Sequence, residues 1–100
     1  MKPYFALIAL ALPLCAAPAH ASAELAAKNN CLACHDTDKK KVGPAFKDVS
    51  AKYKGEQDAE AKRIESMLSG SKGKWGPVPM PPQQVSRADA EALSKWILSL

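Results

Sequence analysis

Apolar residues follow two regimes along the chain. From Phe5 to Leu12 they form an unbroken run, whereas from Leu25 onward most recur at three- and four-residue spacings, the signature of one face of an α-helix. Leu25, Ala26 and Ala27 predict a short helix leading directly into Cys31, with the Ser22 hydroxyl as its cap and Glu24 near the positive end of its dipole. Gly43-Pro44 predicts the start of a second helix, because proline's fixed φ suits a first turn; Phe46, Val49 and Tyr53 then share a face up to Gly55. Asp58 is placed to cap a third helix in which Ala61, Ile64 and Leu68 align until Gly70. The last helix is the plainest: Ser86 and Asp89 have capping-box spacing, and Leu93, Trp96, Ile97 and Leu100 form one stripe. No strand-like alternation of useful length occurs, so the expected fold is all-α with about four short helices.

Between the third and fourth helices, residues 70–85 contain Gly70, Gly73, Gly76, Pro77, Pro79, Pro81 and Pro82. Such a stretch is neither helix nor central strand. A long connection of this kind in a compact domain is uncommon unless it is functional, and Trp75 and Met80 within it predict an ordered loop lying on something apolar.

The unperiodic apolar run belongs to a different object. Lys2 precedes it, no Asp, Glu, Lys or Arg occurs from Pro3 to Ala23, and it ends in Ala19-His20-Ala21. That is the form of a secretory signal peptide. A membrane helix needs roughly 20 apolar residues, and Pro13 and Pro18 interrupt this stretch. Cleavage after Ala21 or Ala23 is expected, dividing the chain into a signal peptide (1–21) and one domain (22–100), with export to the periplasm and loss of Cys15 and His20. Leu14 is too large for a lipoprotein box before Cys15.

With 100 residues and a net charge of +4, the chain is too short for a multidomain enzyme and too modestly basic, for an exported protein, to suggest nucleic-acid binding. A domain of this size buries only about 60% of its unfolded surface and commonly recruits a disulfide, metal or cofactor. The two remaining cysteines are therefore the place to look.

Cys31-Leu32-Ala33-Cys34-His35 has the Cys-x-x-Cys-His pattern of c-type haem attachment. Thiols one turn apart can add to the two vinyl groups on one porphyrin edge, and the adjacent imidazole falls under the iron. Three other readings use the same residues. A thioredoxin-like redox pair needs a βαβ context, a zinc site wants further Cys, His or acidic ligands, and a plain disulfide gives His35 no role. If haem is present, His35 is the proximal ligand, being the only histidine beyond the leader. Met80 lies between Pro79 and Pro81, where little conformational freedom remains to be lost, which suits a second axial ligand. Met67 competes for that role but reads as a core side chain.

Asn29-Asn30-Cys31-Leu32-Ala33-Cys34-His35, Val42-Gly43-Pro44-Ala45, Trp75-Gly76-Pro77-Val78-Pro79-Met80-Pro81-Pro82 and Ala92-Leu93-Ser94-Lys95-Trp96-Ile97-Leu98 together resemble the short monohaem class I cytochromes c of bacteria, of the cytochrome c-551 type. The resemblance spans essentially residues 22–100 and implies the class I cytochrome c fold around one covalent haem c. It implies that Cys31 and Cys34 carry the haem, that His35 and Met80 are its axial ligands, and that the Pro44 carbonyl accepts the imidazole Nδ1 proton. It places Trp75 against a haem propionate and Trp96 between the last helix and the first. In one respect the chain departs from its relatives. They often carry a basic residue four positions before the glycine ending the third helix, where it meets a propionate and where this chain has Ser66; Arg63, three residues earlier, could substitute from nearly one turn away, but it reads first as a solvated surface residue.

Nitrogen and sulfur in both axial positions leave the iron no vacancy for a substrate, and His/Met ligation raises the potential. The expected activity is one-electron carriage rather than catalysis. The resemblance implies a membrane quinol-oxidising complex as donor and nitrite reductase, a terminal oxidase or cytochrome c peroxidase as acceptor. Lys28, Lys39, Lys40, Lys41, Lys47, Lys72 and Lys74 could form a positive rim for transient docking by a monomer. The other readings are a gas sensor or small haem enzyme with a labile Met80, and a haem-free dithiol or metal module.

Overall fold

The computed structural model describes residues 20–100, together with the isolated positions 3, 9 and 11. Apart from these and its last two residues, the leader expected over 1–21 lies outside the described residues. The described residues form four α-helices in the order α1 (His20–Lys28), α2 (Phe46–Tyr53), α3 (Ala59–Ser69) and α4 (Arg87–Ser99), with a 3-10 turn at Cys31–Ala33. Among the described residues the only β pairing is an isolated bridge between Ser71 and Met80, and no helix is long and apolar enough to cross a membrane. The all-α expectation holds.

The helix ends explain where the chain turns. α1 begins at His20, so Ser22 lies inside it rather than capping it. The intact chain continues upstream of Ser22, which leaves the helix free to start earlier. At the other end the Asn29 side-chain amide donates to the Leu25 carbonyl at 3.0 Å, and Asn30 adopts a left-handed φ of 61°, a conformation that asparagine tolerates better than most residues. The reversal feeds directly into the cysteine turn.

α2 starts two residues later than proline spacing predicts. Ala45, at its N-cap, is extended with ψ 143°, and the first-turn amides of Phe46 and Lys47 bond to the Asp36 and Thr37 carbonyls at 2.9 and 3.1 Å. The segment after His35 thus caps α2 and fixes the helix to the cysteine turn. In α3, Asp58 sits at the N-cap without a side-chain bond. In α4, the Ser86 hydroxyl accepts from the Asp89 amide at 3.1 Å, while the Asp89 carboxylate accepts from the Asn29 side chain at 3.3 Å, tying α4 to the end of α1.

α4 packs against α1, α2 and α3. Its Ala90 and Leu93 meet a core containing Ala26, Phe46, Val49, Tyr53 and Met67. Two hydroxyls are fully buried yet bonded: Ser50 donates to the Leu98 and Leu100 carbonyls at 3.2 and 2.9 Å, and Ser94 to the Glu60 carbonyl at 2.9 Å. Trp96, expected between α4 and α1, is half-buried with its ring edge-on to Phe46 of α2, centroids 5.4 Å apart. The expected face of α3 is corrected. Ala59, Arg63 and Met67 are its buried residues, Ile64 and Leu68 are half-buried flanks, and Ala61 is exposed. Arg63 concealed that face because a charged residue breaks the apolar pattern.

Candidate functional site

The cysteine turn is tightened by backbone bonds from Cys34 and His35 to the Cys31 carbonyl at 3.2 and 2.9 Å. Both thiols are free; Cys31 is half-buried and Cys34 exposed. Burial pushes the Cys31 thiol up, against a smaller opposing pull from a backbone hydrogen bond.

His35 is held from three sides. Its Nδ1 lies 2.7 Å from the Pro44 carbonyl; a carbonyl can only accept, so Nδ1 carries the proton and Nε2 keeps its lone pair. The ring stacks on Phe46, with centroids 5.0 Å apart and planes at 22°. Gly43 forms the third side, because a β-carbon there would fall 2.5 Å from His35 Cε1. This also accounts for the late start of α2: the Pro44 carbonyl serves the imidazole instead of a helical turn.

Met80 comes from the Gly/Pro-rich connection between α3 and α4. Ser71 N–H donates to the Met80 carbonyl at 2.9 Å and Met80 N–H to the Ser71 carbonyl at 2.7 Å, closing the loop on itself. Just beyond, Gln83 N–H donates to the Met67 carbonyl of α3 at 2.8 Å. Gly70 has φ 83° and ψ 172°, a region essentially restricted to glycine. Trp75 stands edge-on to Tyr53 at 6.3 Å, and the Lys52 ammonium lies 4.5 Å from the Trp75 ring centroid while donating to the Lys74 carbonyl.

These segments enclose a cleft of about 390 Å³ lined by Cys31, Cys34, His35, Trp75 and Met80, with Pro44 beside them. Its volume falls within the ~300–1,000 Å³ typical of cofactor sites. Met67 also lines it but is buried as a core residue. Arg63 departs from the sequence expectation. It is only 6% exposed, lines the same cleft, and its guanidinium carbon lies 3.4 Å from the Tyr53 ring centroid. Helical geometry puts it one turn from both Ala59 and Met67, on the inward face. Burial pushes the Tyr53 phenol up, but the guanidinium, with Lys52 and Lys74 behind it, outweighs burial and leaves the phenol below its usual range. Ser66 lines the cleft too, with its hydroxyl turned back to the Lys62 carbonyl at 2.9 Å.

The donor set discriminates among the chemistries left open by sequence. Among the described residues no group of three or more His, Cys, Asp or Glu side chains converges to hold a metal ion, and the all-helical setting lacks the βαβ unit of a dithiol oxidoreductase. A covalently attached haem fits: two thiols on one tight turn, an imidazole with Nε2 uncommitted, a thioether from a separate strap, and a buried guanidinium with two unpartnered nitrogens. Of the residues shaping the cleft, Gly43 and Gly70 enter the sequence reading only as helix boundaries and Phe46 and Tyr53 only as a helix face, whereas Arg63 enters it as one candidate for the basic position that Ser66 leaves open. Its i, i+4 relation to Ala59 and Met67 is the signal for its buried place.

Comparison with known proteins agrees with this fit. Residues 19–100 match the sequence profile of the family described as Cytochrome c. The chain is 52% identical over 88 residues to cytochrome c-552 of Nitrosomonas europaea, covering 87% of this chain and 85% of that one. It is 50% identical over 102 aligned positions to cytochrome c-551 of Pseudomonas aeruginosa, covering 99% and 98%. The fold superposes on the crystal structure of wild-type Nitrosomonas europaea cytochrome c552 with a TM-score of 0.76 at 53% identity, covering 78% of this chain and 98% of that one. The paired Cys31 and Cys34 beside His35, the all-α class I fold and these relatives lead to one assignment: the chain belongs to the cytochrome c family, as a small electron carrier of the c-551/c-552 type that carries one haem c through Cys31 and Cys34.

Proposed function

We propose that the protein shuttles single electrons in the periplasm, with His35 and Met80 as the axial ligands of its haem. When bound, haem c supplies a reversible one-electron change at iron. The chain's own residues do the rest. His35 presents Nε2 because Pro44 holds its other nitrogen and with it the ring's orientation. Met80 is presented by a strap closed on Ser71, and a soft thioether in a largely apolar cleft favours the reduced state. Trp75 lines the cleft and is partly exposed, which supports a role for its indole N–H as donor to a propionate.

The observation that carries this reading is the 2.7 Å contact between His35 Nδ1 and the Pro44 carbonyl, since it leaves Nε2, in a ring that lines the cleft, with the lone pair that a metal ligand needs. The test is an optical spectrum in both redox states. Met80→Ala should abolish the weak far-red band of a sulfur–Fe(III) bond, and Met67→Ala should keep it. The converse would exchange their roles, and rapid complete carbon monoxide binding by the unmutated reduced protein would favour a gas sensor or haem enzyme.

Export is part of the proposal. Cleavage after Ala21 or Ala23 would leave Leu25 and Ala26 of α1 in place, and the mass of the secreted product reads the site directly. A quinol-oxidising membrane complex is the proposed donor; nitrite reductase, a terminal oxidase or cytochrome c peroxidase is the proposed acceptor. Lys72 and Lys74 line the cleft, which supports docking at that edge, whereas Lys47 is paired with Asp38 at 2.6 Å and Lys41 reaches the Leu32 carbonyl at 2.9 Å.

A further inference from the structure

Arg63 poses a problem that the protein itself does not solve. Its Nε and Nη2 are buried and meet no hydrogen-bond partner among the described residues, although arginine keeps its charge when buried and an uncompensated buried charge is strongly unfavourable. One face of the guanidinium is occupied by the Tyr53 ring. The two unused donors, Nε–H and Nη2–H, lie on one edge of the plane and point the same way, the geometry that matches the two oxygens of a carboxylate.

No acidic side chain lines the cleft to answer them; the charged residues there besides Arg63 are Lys72 and Lys74. The missing anion must therefore arrive with the cofactor, whose only carboxylates are its two propionates. We propose that Arg63 is a positioning residue that holds one haem propionate in a two-point buried pair. This assignment rests on the haem reading of the site. Arg63 takes the part that Ser66, with its hydroxyl turned back to Lys62, leaves vacant.

The pair keeps that propionate ionised. Without Arg63, the propionate takes up a proton more readily when the iron gains an electron, so the reduction potential acquires a pH dependence. Besides Arg63, the titratable groups lining the cleft are Cys31, Cys34, His35, Tyr53, Lys72 and Lys74, and Lys52 acts on Tyr53 from α2. In the holoprotein the two thiols are consumed by haem attachment and His35 is, on the proposed reading, an iron ligand, while the tyrosine and the lysines do not ordinarily change charge between pH 5 and 8, so a new dependence there reports the propionate.

The test is spectroelectrochemical titration of the holoprotein from pH 5 to 8, with Arg63→Leu, Arg63→Lys and, as control, Ser66→Ala. Arg63→Leu should gain a pH-dependent segment approaching a tenfold change in the reduction equilibrium per pH unit; Arg63→Lys should restore part of the flat profile, and Ser66→Ala should match the unmutated protein. A flat profile in Arg63→Leu with its haem absorption intact overturns the assignment. In the unmutated holoprotein, carbon-13 NMR of the haem carboxylates should show one that stays ionised down to about pH 4. Two carboxylates titrating alike above that would overturn it without any mutation. Absence of haem absorption from the unmutated protein would instead sink the underlying haem reading.

Discussion

A β-carbon on Gly70 would come within 2.8 Å of the Met80 carbonyl oxygen and 3.0 Å of Pro82 Cδ. The glycine that ends α3 is therefore also the surface on which the methionine strap lies, and its φ of 83° independently excludes a side chain. Gly70→Ala should destabilise the holoprotein by about 1–3 kcal/mol, the cost of a non-glycine residue in so restricted a region. Denaturant unfolding should register that loss, and the far-red band should weaken at a lower temperature than in the unmutated protein.

On the opposite ligand, Gly43→Ala should act through His35. The imidazole cannot retreat from the new methyl without leaving Phe46 or Pro44, so overpacking of about 1–3 kcal/mol is expected. A lowered melting temperature together with a shifted reduction potential checks this; a change in stability alone would show that the ring keeps its position.

The two methionines should separate stability from ligation. Met67 is buried against the core, so Met67→Ala should cost about 2–5 kcal/mol while Met67→Leu, nearly equal in volume, should cost under about 1.5 kcal/mol. Calorimetry on both variants, compared with their far-red absorption, decides the point.

Charge reversal at Lys72 and Lys74 should slow electron transfer to an acidic partner at low salt, with the difference shrinking as ionic strength rises through about 0.15 M. Lys47→Glu should have a smaller effect because Asp38 already occupies that ammonium. Stopped-flow rates across a salt series test both statements, and salt-independent rates would remove electrostatic steering.

The Lys47 pair also has a pH signature. The hydrogen bond that the Lys47 ammonium donates to Asp38, and secondarily the carboxylate's charge, raise Lys47 above its usual value. Its stabilising contribution is thus fully present below the unfolded lysine value and disappears as pH rises through the folded one. Both groups are exposed, so the effect is small and salt-sensitive. Asp38→Ala should lower the unfolding midpoint at pH 7 and leave it nearly unchanged above about pH 11.

What sequence revealed here was mostly local. The cysteine motif, the capping serine of α4 and the stiffness around Met80 each depend on residues close in the chain. The start of α2 was misplaced because its first amides are capped by Asp36 and Thr37, and because the Pro44 carbonyl serves His35. Arg63 reads as solvated for a related reason: a positive charge looks solvent-facing until the cleft it lines, which holds no acidic side chain, is seen beside it. Gly43 and Gly70 matter only through atoms that approach them across space, which no spacing rule records.

The two grips on the iron proposed above are unequal in make. His35 is seated by a carbonyl, a stacked ring and a glycine floor, all within a dozen residues of the covalent attachment, whereas Met80 hangs from a strap secured chiefly by its exchange of amide bonds with Ser71. Under heat or denaturant the molecule should come apart from one side, with sulfur releasing first while nitrogen and the tethered porphyrin stay put. That gives the carrier a weak link of known address, and a partially opened form that is still coloured.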